Sequence, residues 1–87
     1  MNTKERIAQA LASALSPQSL DVIDESHLHK GHAGSRPEGE THFRVRITAE
    51  AFRGKSRVDM HRTINAILAD ELAAGVHALA IQAKAPE

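Results

Sequence analysis

Six histidines and no cysteine define the soft-ligand chemistry open to this 87-residue chain. Four of the six, His27, His29, His32 and His42, lie between Ser26 and His42, a stretch that also holds Gly31, Gly34, Gly39 and Pro37. Glycine and proline at this density mark a long loop, and imidazole is a metal ligand whose charge changes near neutral pH. His29 and His32 stand three residues apart on either side of Lys30-Gly31, where a flexible backbone can bring either ring to a metal. As a zinc pair they lack a reliable third ligand. His27 follows the preceding strand directly and ranks behind both.

The other histidines have plainer readings. His42 opens a strand on the face opposite Phe43, where a cross-strand contact or a hydrogen bond at the loop's exit is expected. His61 precedes Ile64 by three residues and Leu68 by seven, which puts it at the edge of a helix's buried stripe. His77, in Val76-His77-Ala78-Leu79, is either a strand histidine packed beside Leu79 or a ligand.

A second cluster is cationic. Arg53, Lys55, Arg57 and Arg62, against Asp59, place surplus positive charge at the start of a predicted helix, where backbone N–H groups also favour anions. Such a turn can be solvated, can hold a phosphate or the carboxylates of glutathione, or can dock an acidic partner. Gly54-Lys55-Ser56-Arg57 keeps only the first glycine of the Gly-x-x-Gly loop by which K-homology domains approach nucleic acid. No nucleophile stands beside a base, and Asp24 and Glu25 are adjacent on a strand and so point to opposite sides. The chain is therefore not expected to be an enzyme.

The elements that position these residues follow from periodicity. Asn2 and Glu5 have the spacing of a capping box, Ile7, Leu11 and Leu15 recur every fourth residue, and Ser16-Pro17 stops the helix. Ser19–Glu25, with Leu20, Val22 and Ile23, predicts a strand. From Thr41 to Thr48 the alternation of Phe43, Val45 and Ile47 with His42, Arg44, Arg46 and Thr48 predicts a strand with one buried face and one wet, basic face. The two strands form a hairpin with a long tip. Gly54 breaks the chain, and Ser56 and Asp59 suggest a second capping box. Met60, Ile64, Ile67, Leu68 and Leu72 stripe one long helix, which Gly75 ends. Val76–Ala83 resumes extended structure with Leu79 and Ile81 on one face. The order is αββαβ, an α+β fold with a three-stranded mixed sheet and both helices on one face, in a single domain spanning residues 1–87.

Composition narrows the function classes. With 11 basic and 11 acidic residues the formal net charge is zero, so no global field attracts nucleic acid or an anionic membrane. Two phenylalanines are the only aromatics, too few for a base-stacking platform. The N-terminus shows neither a signal peptide nor a membrane span, and a cytoplasmic protein without membrane partners is expected.

Asp24-Glu25-Ser26, Thr41-His42-Phe43-Arg44-Val45, Phe52-Arg53-Gly54-Lys55-Ser56-Arg57-Val58 leading into His61-Arg62, and Val76-His77-Ala78-Leu79 together resemble the BolA family, over residues from about Leu11 to Ala83. The resemblance implies a fold similar to the type II K-homology domain. It also implies a heterodimer with a monothiol glutaredoxin that shares a 2Fe–2S cluster, and a role in iron–sulfur trafficking or iron homeostasis. By the same resemblance His77 is the principal ligand and His29 occupies the loop-ligand place, four residues after Glu25, with His32 in reserve. A cluster needs four ligands, so a glutaredoxin cysteine and a glutathione thiol would complete the set. The apo chain is expected to be a monomer or weak homodimer. DNA-binding regulation, attributed to some members, is the alternative, through Arg53, Lys55, Arg57 and Arg62. Met60 stands where the family usually has arginine, which weakens a basic reading surface on this helix.

Overall fold

The alternating strand organises the molecule. The computed structural model describes residues 2–25, 42–76 and 78–87. Along the chain these form α1 (Thr3–Leu15), β1 (Ser19–Asp24), β2 (His42–Thr48), a 3₁₀ turn (Glu50–Phe52), α2 (Arg57–Ile67), α3 (Ala69–Ala74) and β3 (Ala78–Lys84). β2 is central: β1 pairs with it antiparallel, with Val22 opposite Val45, and β3 pairs parallel, with Ile81 opposite Val45. The expected mixed sheet with helices over one face is the fold observed.

Burial follows from the two periodicities. Phe43, Val45 and Ile47 of β2, Val22 of β1, Ile7 and Leu11 of α1, and Ile64 of α2 meet in one core with Leu68, Val76, Ala49 and Phe52. Neither helix could hide its stripe alone; α1 lies over β1 and α2 over β3, and the sheet's apolar face supplies the surface both need. Arg6 of α1 bridges to Glu71 of α3, Nε to Oε1 at 2.6 Å, and ties the helical layer across its top.

Three local features depart from the expected elements. The long second helix is interrupted at Leu68, whose backbone sits at φ −97°, ψ 14°, with its N–H directed at both Ile64 and Ala66 carbonyls. Leu68 is 1% exposed, so the bend occurs where the chain is pinned in the core, and α3 leaves at a new angle with Glu71 facing Arg6. The second cap is half a box: Ser56 Oγ accepts from the Asp59 N–H at 3.1 Å. Among the described residues the last strand covers Ala78–Lys84, running one residue past its expected end, and Val76 lies outside it.

The wet face of β2 is also less wet than its pattern suggests. His42 is only 7% exposed. Arg44 is half-buried because Glu25 draws it down, Nε to Oε2 at 2.9 Å. Arg46 alone of the three is exposed, its Nε donating to Gln82 Oε1 at 3.1 Å on β3.

Candidate functional site

The sheet register decides which sequence-predicted residues can work together. Glu25 follows β1 and donates its N–H to the His42 carbonyl at 2.8 Å, so the chain leaves and re-enters the sheet at one point. Ala78, the first residue of β3, pairs with His42. The two ends of the histidine-rich stretch and the residue that follows His77 therefore meet at one end of the sheet. His27, His29, His32 and His77 themselves lie outside the described residues. Among the described residues no group of three or more His, Asp or Glu side chains converges as a metal site.

The chemistry of the donors fits a shared cluster better than a closed site. With no cysteine in the chain no thiolate is on offer, and imidazoles are the ligands it can bring to an iron–sulfur group; histidines ligate one iron of a 2Fe–2S group in Rieske centres while thiolates hold the other. Glu25 and Ala78, far apart in the sequence, reach the same end of the sheet because β3 runs parallel to β2, a juxtaposition that spacing in the sequence cannot reveal. His42 adds a buried imidazole there, held in the strand that joins both positions.

The cationic stretch lies elsewhere. β2 ends at Thr48, and the chain turns through Glu50–Phe52 to start α2 at Arg57, beside the far end of β3. Six strand residues separate this end from His42, roughly 20 Å at 3.3 Å per residue. The cationic turn and the paired residues Glu25, His42 and Ala78 therefore lie at opposite ends of the sheet.

Nor do the four cations act as a block. Arg53 grips Glu50 with both nitrogens, Nε to Oε1 at 2.7 Å and Nη2 to Oε2 at 2.9 Å, and Nη2 also donates to the Pro86 carbonyl at 3.0 Å. The hydrogen bonds and charge of Arg53 hold the Glu50 carboxyl below its ordinary value, and Glu50 raises the guanidinium in return. Arg53 thus fastens the tail to the turn. Lys55, Arg57 and Arg62 are exposed and make no ion pair among the described residues. At 3.6 residues per turn, Arg57 and Arg62 project about 140° apart. Arg57 instead shares a side of α2 with half-buried His61, four residues on, and the two border a groove of about 610 Å³ with Arg46, Ile81 and Lys84. Sequence reasoning assigned no role to Lys84; the parallel pairing of β3 that brings it here was the available signal.

Gly54 shapes the turn between these groups. Its φ of +80° is left-handed, which glycine adopts without the clash a Cβ brings, although no neighbour crowds the site. Val58, beside Arg57, is 56% exposed.

Comparison with known proteins agrees with the fold. Residues 11–87 match the family described as BolA-like protein. A Sinorhizobium protein described as lying in the cobS 5′ region is 51% identical over 87 residues, covering 99% of this chain and 94% of its own. The Escherichia coli protein named DNA-binding transcriptional regulator BolA is 42% identical over 81 residues, covering 93% of this chain and 73% of its own. The BolA domain of SufE1 from Arabidopsis thaliana superposes with a TM-score of 0.88 at 46% identity, over 99% of this chain and 95% of that one. The chain spans about half the length of several other curated relatives, 54% to 56%, and 23% of the SufE-like protein 1.

Proposed function

The chain belongs to the BolA family, and on that premise we propose that it is a non-enzymatic, cytoplasmic adaptor that binds a monothiol glutaredoxin and shares a 2Fe–2S cluster with it. In this role His77 and a loop histidine, His29 or else His32, supply imidazoles, and the partner's cysteine and glutathione supply thiolates. The cluster is cargo or signal in iron–sulfur trafficking or iron homeostasis. The observation that carries the reading is the register: Glu25, His42 and Ala78 meet at one end of the sheet, so the two stretches bearing the proposed ligands start from the same place. A chain without thiolates needs a partner to complete four ligands, which makes assembly and cluster binding one event.

Co-expression with a monothiol glutaredoxin tests this. A coloured heterodimer is expected, with a visible spectrum that changes in His77→Ala. Imidazole must be deprotonated to ligate, so histidine ligation is expected to fail as the pH falls below about 6. A spectrum indifferent to both the substitution and the acid step would assign the cluster to thiolates alone.

A second reading has its own observation. Lys55, Arg57 and Arg62, without an ion pair among the described residues, belong to the turn and helix at the opposite end of the sheet, and the Escherichia coli relative is named a DNA-binding regulator. DNA binding there predicts an affinity that falls steeply with salt and drops in Arg57→Glu. Because the two ends are separate, His77→Ala is expected to leave DNA affinity unchanged and Arg57→Glu to leave the cluster spectrum unchanged.

A further inference from the structure

The two edges of the sheet are treated differently. β1, Ser-Leu-Asp-Val-Ile-Asp, carries Asp21 and Asp24, charges of the kind that keep a free edge from pairing. β3, Ala-Leu-Ala-Ile-Gln-Ala-Lys, has no proline and no acid, its one charge is Lys84 at the end, which repels a like-charged strand and suits an acidic one, and among the described residues it pairs only with β2. Alternate residues of such an edge direct N–H and C=O groups outward, ready for another strand. The end of this edge is bordered by cations on both sides. Arg57 reaches it from the helical layer, and Lys84 and Arg46 lie in the row that faces away from the helices. Arg57 and Lys84 make no ion pair among the described residues, and Asp21 is the only acid lining the groove they share.

We infer that the Ile81–Lys84 end of β3 is a docking edge for an extended acidic segment of a partner protein, added as a fourth strand with its carboxylates meeting Arg57 on one face and Lys84 on the other. Successive side chains of an added strand point to opposite faces, so acidic residues at neighbouring positions satisfy both cations at once. Charge decides against a second copy of the chain. A copy paired antiparallel over the same Ile81–Lys84 end would bring another Arg57 and another Lys84 to that junction, and like charges facing across a pair destabilise it. The docking edge stands independently of the cluster at the other end of the sheet.

The experiment uses the full chain, isotope-labelled, with synthetic eight-residue peptides of alternating Val and Thr in which three positions are Glu or three are Lys. The Glu peptides are expected to slow hydrogen exchange at amides within Leu79–Lys84, with affinity falling at least tenfold in Arg57→Glu and in Lys84→Glu and for the Lys peptides. Both variants alter exposed side chains, and a Glu peptide N-methylated on alternate amides, which leaves the protein untouched, is expected to lose binding. The inference is overturned if no Glu peptide protects these amides, or if the N-methylated peptide binds as well as its parent. It fails equally if β3 becomes protected on concentrating the free protein while sedimentation shows a doubled mass, because a second copy then owns the edge. A single-stranded oligonucleotide that protects β3 more strongly than the Glu peptides would also reject it.

Discussion

At the scale of single residues, the charge chemistry of the turn after β2 separates Arg53 from its neighbours. Sequence placed Arg53, Lys55, Arg57 and Arg62 in one cationic group, since nothing in their spacing marks which one finds a carboxylate. The 3₁₀ turn is what presents Glu50 to Arg53 in a two-pronged bond. With both side chains more than half exposed, solvent screens the pair and its effect on stability is small. Its signature is in titration. Glu50 is expected to lose its proton below its ordinary value of 4.5, and Arg53→Gln to bring it back toward that value, as followed by carboxyl NMR shifts across an acid titration. The sign follows from linkage: a carboxyl with a depressed folded pKa stabilises the fold above its unfolded pKa and loses that contribution as the pH falls through the folded one. An Arg53→Gln chain in which Glu50 titrates unchanged would show that the bond seen here does not persist in solution.

At the scale of elements, caps and stripes account for what the sequence made legible. Asn2 Oδ1 accepts the Glu5 N–H at 2.8 Å while Glu5 Oε1 accepts the Asn2 N–H at 3.2 Å, the reciprocal box that their spacing announces. Ser56 and Asp59 have the same spacing, but only the Ser56 arm forms, and aspartate is one methylene shorter than glutamate. Asn2→Ala and Ser56→Ala each remove one side-chain acceptor, the Glu5 Oε1 bond to the backbone N–H of residue 2 being untouched by the first, so each is expected to cost about 1 kcal/mol. Urea unfolding of the two variants, compared by midpoint at constant slope, checks both costs. Gly54 adds a backbone test of the same kind, since Gly54→Ala should cost about 1 kcal/mol through its left-handed φ alone, no neighbour lying in the way of the new methyl. The helix interruption at Leu68 was not legible, because Ile64, Leu68 and Leu72 keep an unbroken four-residue spacing through it. A stripe reports which side is buried, not whether the axis runs straight.

At the scale of the whole molecule, the strong alternation of Phe43, Val45 and Ile47 was enough to place the central strand and the apolar face that both helices cover. The relation between the two clusters of chemistry was not available from it. Which end of a sheet a residue occupies depends on the direction in which each strand is traversed, and the parallel run of β3 is what moves Ala78 to His42 and Lys84 to the cationic end. The same topology separates folding from the proposed ligation. Glu25 and His42 are already joined by a 2.8 Å backbone bond, so the flanking strands enforce the closure of the stretch between them. Replacing residues 27–40 by a short Asn-Gly turn keeps that closure and cuts the stretch between Glu25 and His42 from 16 residues to four, two halvings, which should stabilise the fold by about 1 kcal/mol from closure entropy. The same replacement removes His27, His29 and His32 together. A variant that melts at or above the temperature of the parent, retains its unfolding slope, and yet returns a glutaredoxin complex with an altered or absent cluster spectrum is the expected result. If the shortened chain binds the cluster unchanged, the loop ligands are excluded and His77 must act without them; if it fails to fold, the paired ends at Glu25 and His42 are not sufficient to hold the hairpin.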